Sequence, residues 1–247
     1  MRASLAVATL VLTSLCSAAG AGAISGSMVT PVAYSVQDLS DGTTDWVAYG
    51  GLGVAGTATD KTSKTASSSF GNVVLTAGSG PYTQTVWGPI KFAHDEGYGS
   101  YPAATTSIDA NPVCANSASL AQLRFTHTLL GEEETIDVFV FTKHASLEWV
   151  DVSANLNTGG SWSVTNQQLP TVVANKGCYG IVRLHVEEAS AGDQLTFVLS
   201  SNYSNNTNPQ SWWGVSIAGA TATAVPEPAT MGLLVLGGIA GVMRRRR

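Results

Sequence analysis

Apolar and polar side chains alternate with a period of two through most of the chain between residues 24 and 223. Ile136, Val138 and Val140 alternate with Asp137, Phe139 and Phe141, and Val182, Leu184 and Val186 with Ile181, Arg183 and His185. Leu195, Phe197 and Leu199 alternate with Thr196, Val198 and Ser200, and Trp213, Val215 and Ile217 with Gly214, Ser216 and Ala218. Residues two apart share one face of a strand, so these runs predict half-buried strands. Turn-forming clusters lie between them, among them Asn157-Thr158-Gly159-Gly160 and Ser190-Ala191-Gly192-Asp193. No amphipathic helix of three turns stands out between the two ends. Spaced strands without helical crossovers predict an all-β fold, an antiparallel, jelly-roll-like β-sandwich. Ser67 to Gly71 and Ala77 to Pro81 read as loops around a Val73-Val74-Leu75 strand, and Tyr98 to Pro112 as a long loop. Gly219 to Ala224 is small and flexible in composition and reads as a linker.

The two ends break the pattern. After Met1-Arg2 comes an apolar run from Ala3 to Cys16, then small residues to Ala23. Ala21-Gly22-Ala23 fits a signal-peptidase site, which predicts a helical secretory signal over residues 1–23, with signal peptidase as a partner. At the other end, Val225-Pro226-Glu227-Pro228 precedes an apolar stretch from Thr230 to Met243 and the basic run Arg244, Arg245, Arg246 and Arg247. A helix of that apolar length spans roughly 21 Å, short of a bilayer core of about 30 Å. The arginines favour the cytoplasmic side, so the segment predicts a transient membrane tether with its C-terminus inside. Prolines on both sides of Glu227 keep the preceding step extended and open to a processing enzyme. The expected domains are therefore residues 1–23, 24–223 and 224–247.

This C-terminal order of a Val-Pro-Glu-Pro motif, a hydrophobic stretch and basic residues closely resembles the PEP-CTERM sorting signal of Gram-negative bacteria. The resemblance covers Val225 to Arg247. It implies an exosortase-like processing enzyme as partner, transit through the inner membrane, and delivery to the cell envelope, outer surface or extracellular matrix. A second resemblance concerns the body. Asp45-Trp46-Val47-Ala48-Tyr49-Gly50 near its start, and Gly192-Asp193-Gln194-Leu195-Thr196-Phe197 with Trp213-Gly214-Val215-Ser216-Ile217-Ala218 near its end, look like exported galactose-binding-like jelly-roll domains. That superfamily implies carbohydrate binding in many members and mere packing in others.

Charge narrows the partners. Seven of the 12 basic residues and 16 of the 17 acidic residues fall between the ends, so the body is acidic. Such a surface repels phosphate backbones, which argues against a nucleic-acid partner. Cys16 lies in the leader, and Cys114 and Cys178 remain, which in an oxidising compartment predicts a disulfide, with two buried thiols as the alternative.

Candidate chemistry is sparse. The four histidines, His94, His127, His144 and His185, share no ligand spacing, and no metal site is predicted from them. His127 and His185 read as outward-facing or satisfied strand residues. Glu132, Glu133 and Glu134 read as a solvated hairpin loop, and no serine elbow or phosphate loop is present. No catalytic residues are expected. Asp38, Asp41 and Asp45 offer oxygen ligands that would suit a structural calcium ion, with a plain Asp-Gly turn as the ordinary reading. Trp46, Trp149 and Trp162 read as packing residues, whereas Trp212, with Trp87 and Tyr98, is the candidate platform for a sugar ring. The leading expectation is an exported, non-catalytic surface or matrix protein with exopolysaccharide as a candidate ligand. Its rivals are a secreted glycoside hydrolase or other carbohydrate-active enzyme, with carboxylates that converge only on folding, and a purely structural matrix protein.

Overall fold

A computed structural model describes residues 22–31, 36–39, 42–49, 69–77, 79–83, 91–94, 104–109, 113–116, 121–142, 149–169, 178–202 and 215–225. The first eight strands are β1 (Ala23–Val29), β2 (Val36–Asp38), β3 (Asp45–Ala48), β4 (Val74–Ala77), β5 (Ser79–Thr83), β6 (Lys91–His94), β7 (Ala104–Asp109) and β8 (Val113–Asn116). The rest are β9 (Gln122–Thr128), β10 (Glu134–Thr142), β11 (Trp149–Leu156), β12 (Ser161–Gln168), β13 (Cys178–Glu187), β14 (Gln194–Ser201) and β15 (Ser216–Ala224). One sheet runs β1-β13-β10-β15-β8-β5, with β3 also on β15; a second runs β12-β11-β14-β9-β4. Both are antiparallel, as the alternation predicts. A small third sheet, β2-β6-β7, contains a parallel pair between β2 and β6.

The two large sheets bury their facing sides against each other. Leu123 and Phe125 of β9, Val152 and Ala154 of β11, and Leu195, Phe197 and Leu199 of β14 share one core with Ile136, Val138 and Val140 of β10 and Val182, Leu184 and Val186 of β13. Each residue in that set is less than a tenth exposed, and its Val, Leu, Ile and Phe side chains gain about 1.5–3 kcal/mol each from burial. Phe125 stands directly opposite Phe197, with stacked rings whose centroids are 5.1 Å apart.

The seven-stranded sheet differs from a simple half-buried one. Phe139, Phe141, Tyr179 and Ile181 point to its other side and form a second buried cluster with Leu39, Trp46, Ala48 and Ala218. The apolar members of the supposedly outer set, Phe139, Phe141 and Ile181, were the visible sign of this two-sided burial.

Three loop or linker expectations fail. β5 occupies most of the Ala77 to Pro81 stretch, and β7 lies inside the Tyr98 to Pro112 stretch. The expected linker at 219–224 is part of β15, which pairs with β10 on one side and with β3 and β8 on the other. A β-bulge explains why its pattern misleads. The register skips between Phe139 and Val140, so Ala222 and Ala220 face the main core before the bulge, and Ile217 and Val215 after it. Small side chains here fill a crowded central strand rather than loosening a linker.

The predicted turns hold. Gly159, Gly160 and Gly192 all have positive φ, the region that favours glycine. The expected signal helix and C-terminal helix lie outside the described residues. Among the described residues, no helix is long and apolar enough to cross a membrane.

Candidate functional site

Both ends of the described chain leave the seven-stranded sheet at one pole. Ala23 pairs with Glu187, Val186 with Glu134, and Glu134 with Ala224. Three strand spacings of about 4.8 Å separate β1 from β15, so Ala23 and Ala224 lie roughly 14 Å apart at that pole. The Val225 N–H donates to the Glu133 carbonyl at 2.9 Å, extending the ladder one step past β15. Pro226 has no N–H to continue it. Val225, 37% exposed, therefore marks where the sandwich ends and the Pro-Glu-Pro step begins, with no spacer between.

A buried carboxylate holds this exit together. Glu134 is fully buried, contrary to the solvated-loop expectation for Glu132 to Glu134; only its two neighbours face solvent. Strand alternation turns Glu134 inward, where Oε1 accepts from His127 Nε2 at 2.9 Å and Oε2 accepts from the Leu130 N–H at 3.1 Å. His127 is equally buried and stacks on Phe70, with centroids 4.3 Å apart. With the Nε2 proton directed at the carboxylate, Nδ1 has no hydrogen-bond partner among the described residues. His127 is thus a satisfied core residue on one nitrogen only. The Glu132 carbonyl accepts from the Ala189 N–H at 3.2 Å and ties the neighbouring turn to the same pole.

On the surface of that pole, His185 Nε2 lies 3.3 Å from Glu133 Oε1 and 3.2 Å from Glu187 Oε1. Among the described residues this is the one group of three metal-ligating side chains that converge. It sits in the open and not in a cleft. Farther along β13, Arg183 makes a bidentate pair with Asp137, at 2.8 and 2.7 Å. Those hydrogen bonds, then the Asp137 charge, hold the guanidinium above its ordinary pKa. Burial first, and the Asp137 charge second, push the Tyr179 phenol far above its usual range.

The open side of the five-stranded sheet is a second candidate surface. Ser163, Ser153, Val198, Arg124 and Val74 form one cross-strand row, and Ser161, Asn155, Thr196 and Thr126 another. All are exposed or half-buried. The rows present hydroxyl, amide and guanidinium groups about 4.8 Å apart along the row.

The predicted site residues fare unevenly. Val225 directly follows the last residue of β15. Pro226, Glu227, Pro228, Arg244, Arg245, Arg246 and Arg247 lie outside the described residues, as do Trp212, Trp87 and Tyr98. Trp46 is core, as expected, and Trp162 lies so close over Gly26 that a Cβ there would sit 2.6 Å from the indole. The calcium expectation changes at Asp45. Its fully buried carboxylate accepts from the Trp46 N–H at 2.8 Å, the Ser69 N–H at 2.6 Å and the Ser69 hydroxyl, an internal clamp across 24 residues. Asp41 lies outside the described residues. For the cysteines, Cys114 on β8 pairs with Ser216 and Cys178 on β13 with Thr142, with β10 and β15 running between. Three strand spacings, roughly 14 Å, separate those two strands, against the Cα separation of up to about 7 Å that a disulfide spans. Glu134 escaped the sequence reading because its partner, His127, lies on β9 in the facing sheet; the only signal was an acidic residue at an inward position of a strong strand.

Residues 224–247 match the PEP-CTERM protein-sorting motif. The motif marks an exported protein sorted to the cell envelope or surface and implies an exosortase as processing partner. No curated protein matches the chain. Among solved structures, CBM35 from Cellvibrio japonicus Abf62 aligns at 13% identity over 62% of this chain and 94% of its own, with TM-score 0.31. A carbohydrate-binding module CBM36 in complex with calcium and xylotriose aligns at 13% identity over 61% of this chain and 98% of its own, with TM-score 0.27. The enzymatically active domain of tailspike protein 4 of bacteriophage CBA120 aligns at 11% identity over 64% of this chain and 20% of its own, with TM-score 0.33. At such scores the likeness assigns neither ligand nor activity to this chain.

Proposed function

We propose that the chain is a non-catalytic surface or matrix protein of a Gram-negative bacterium, delivered through the inner membrane by an exosortase-type system, and that it binds polysaccharide there. The observation that carries the reading is the meeting of the last core strand with the sorting motif. β15 ends at Ala224 and the motif begins within the same ladder, so a folded sandwich is presented to the processing enzyme at a fixed pole. The leader leaves from that pole too, so one orientation of the sandwich serves both membrane-directed ends.

The open rows of the five-stranded sheet are the proposed ligand face. Arg124, Thr126, Asn155 and Thr196 supply donors and acceptors suited to sugar hydroxyls, and the face carries few carboxylates to repel an acidic polymer. Many weak hydrogen bonds spread over two rows suit a repeating chain better than a single small molecule.

Co-sedimentation of the full-length protein with purified exopolysaccharide tests the ligand half. Binding that falls tenfold or more in Arg124→Ala/Asn155→Ala, with an unchanged melting temperature, supports the face. Absence of binding, or binding indifferent to the double substitution, removes it and leaves a purely structural matrix role.

A further inference from the structure

The leader offers two overlapping small-x-small frames, Ala19-Gly20-Ala21 and Ala21-Gly22-Ala23. We infer that signal peptidase cuts after Ala21, so that the mature chain begins at Gly22. The inference rests on the export reading and fixes where the exported domain starts.

The folded domain has a socket built around Gly22. This residue is buried, and a Cβ added to it would lie 2.8 Å from Leu156 Cδ1 and 3.2 Å from Ala189 Cβ. Leu156 closes β11, and Ala189 follows β13, so Gly22 plugs the gap between the two sheets. The fit is mutual. Gly160 has φ +76°, and a Cβ on it would overlap the Gly22 carbonyl oxygen. Two positions far apart in sequence are therefore shaped by Gly22: Gly160 leaves room for its carbonyl, and Ala189 for its Cα. Ala23, the next residue, is already in β1 and pairs with Glu187.

A cut after Ala23 makes poor sense of these features. It would place Gly22 at the middle position of the cleavage frame, where a small side chain is not required. Nothing in processing would then call for glycine, and the socket on Leu156, Gly160 and Ala189 would stand empty. It would also remove Ala23 and with it the first pair of the β1–β13 ladder. A cut after Ala21 satisfies the small-residue rule at Ala19 and Ala21, and it keeps the plug and the whole of β1.

The test is N-terminal sequencing of the full-length chain secreted to the periplasm of a host with signal peptidase. The expected sequence is Gly-Ala-Ile-Ser. Ile-Ser-Gly-Ser would overturn the inference while leaving export intact, and an uncleaved Met1 would overturn it together with the export reading. A second readout uses Gly22→Leu. With Gly22 in the mature chain, the added side chain must crowd Leu156 and Ala189 and lower the melting temperature of the secreted protein by roughly 2–10 °C. An unchanged melting temperature would mean that residue 22 had left with the leader.

Discussion

Replacing Glu134 with alanine is the sharpest test of how the exit pole is built. The carboxylate is fully buried and accepts two hydrogen bonds, at 2.9 Å from His127 Nε2 and 3.1 Å from the Leu130 N–H. Alanine leaves the buried His127 and the half-buried Leu130 N–H without that partner. Leaving a buried donor without its acceptor costs about 1–3 kcal/mol for each group stranded. Relief from desolvating the carboxylate offsets part of this, so a net loss of about 3 kcal/mol is expected. At roughly 2–4 °C per kcal/mol for a domain of this size, the melting temperature falls by about 6–12 °C. Glu132→Ala and Glu133→Ala, at solvent-facing positions of the same run, should change stability by less than about 0.5 kcal/mol. Differential scanning calorimetry on the three variants gives the comparison, and a cycle with His127→Ala isolates the pair. A Glu134→Ala protein that melts within 2 °C of the Glu132→Ala protein would refute the reasoning and restore the solvated loop.

Other consequences follow from the same structure. A chain stopped after Val225 keeps every described strand and should melt like the full-length protein, whereas a chain stopped after Val215 loses central strand β15 and should fail to give a cooperative transition by circular dichroism. Cys114 and Cys178 are separated by two intervening strands, so thiol titration in denaturant without reductant should detect both as free in the mature protein; none detected would overturn the sheet order. Tyr179 resists ionisation in the folded state, whereas the unfolded chain releases that proton near pH 10. Stability is therefore whole below about pH 10 and falls as pH rises above it. Tyr179→Phe should flatten that fall in urea midpoints measured at high pH, and an unchanged slope would count against the buried phenol.

What could be read in the sequence, and what could not, divides along physical lines. The runs 136–140, 182–186 and 195–199 announce strands because one face of each is buried throughout, and the sorting motif is linear, so its order of elements survives without any fold. β15 hides because a bulge swaps its inward parity at Ala218 and because alanine and threonine fill a crowded centre with the composition of a linker. β5 and β7 hide in stretches rich in Gly, Ser and Pro. Glu134 looks like its two exposed neighbours until β9 and β10 are placed in the two facing sheets. The shared pole of the two ends depends wholly on the registers of β1, β13, β10 and β15, which no local pattern encodes.

The central claim is that the C-terminal motif routes a folded sandwich to the cell surface. It is tested most directly by following the full-length protein in a Gram-negative host that carries an exosortase, with an exosortase-deleted strain and a Pro226→Ala/Glu227→Ala variant beside it. The account predicts loss of the C-terminal segment and recovery in the outer-surface or matrix fraction for the wild type only, with the uncut form held at the inner membrane in the other two. Equal processing and equal surface recovery in all three would contradict it.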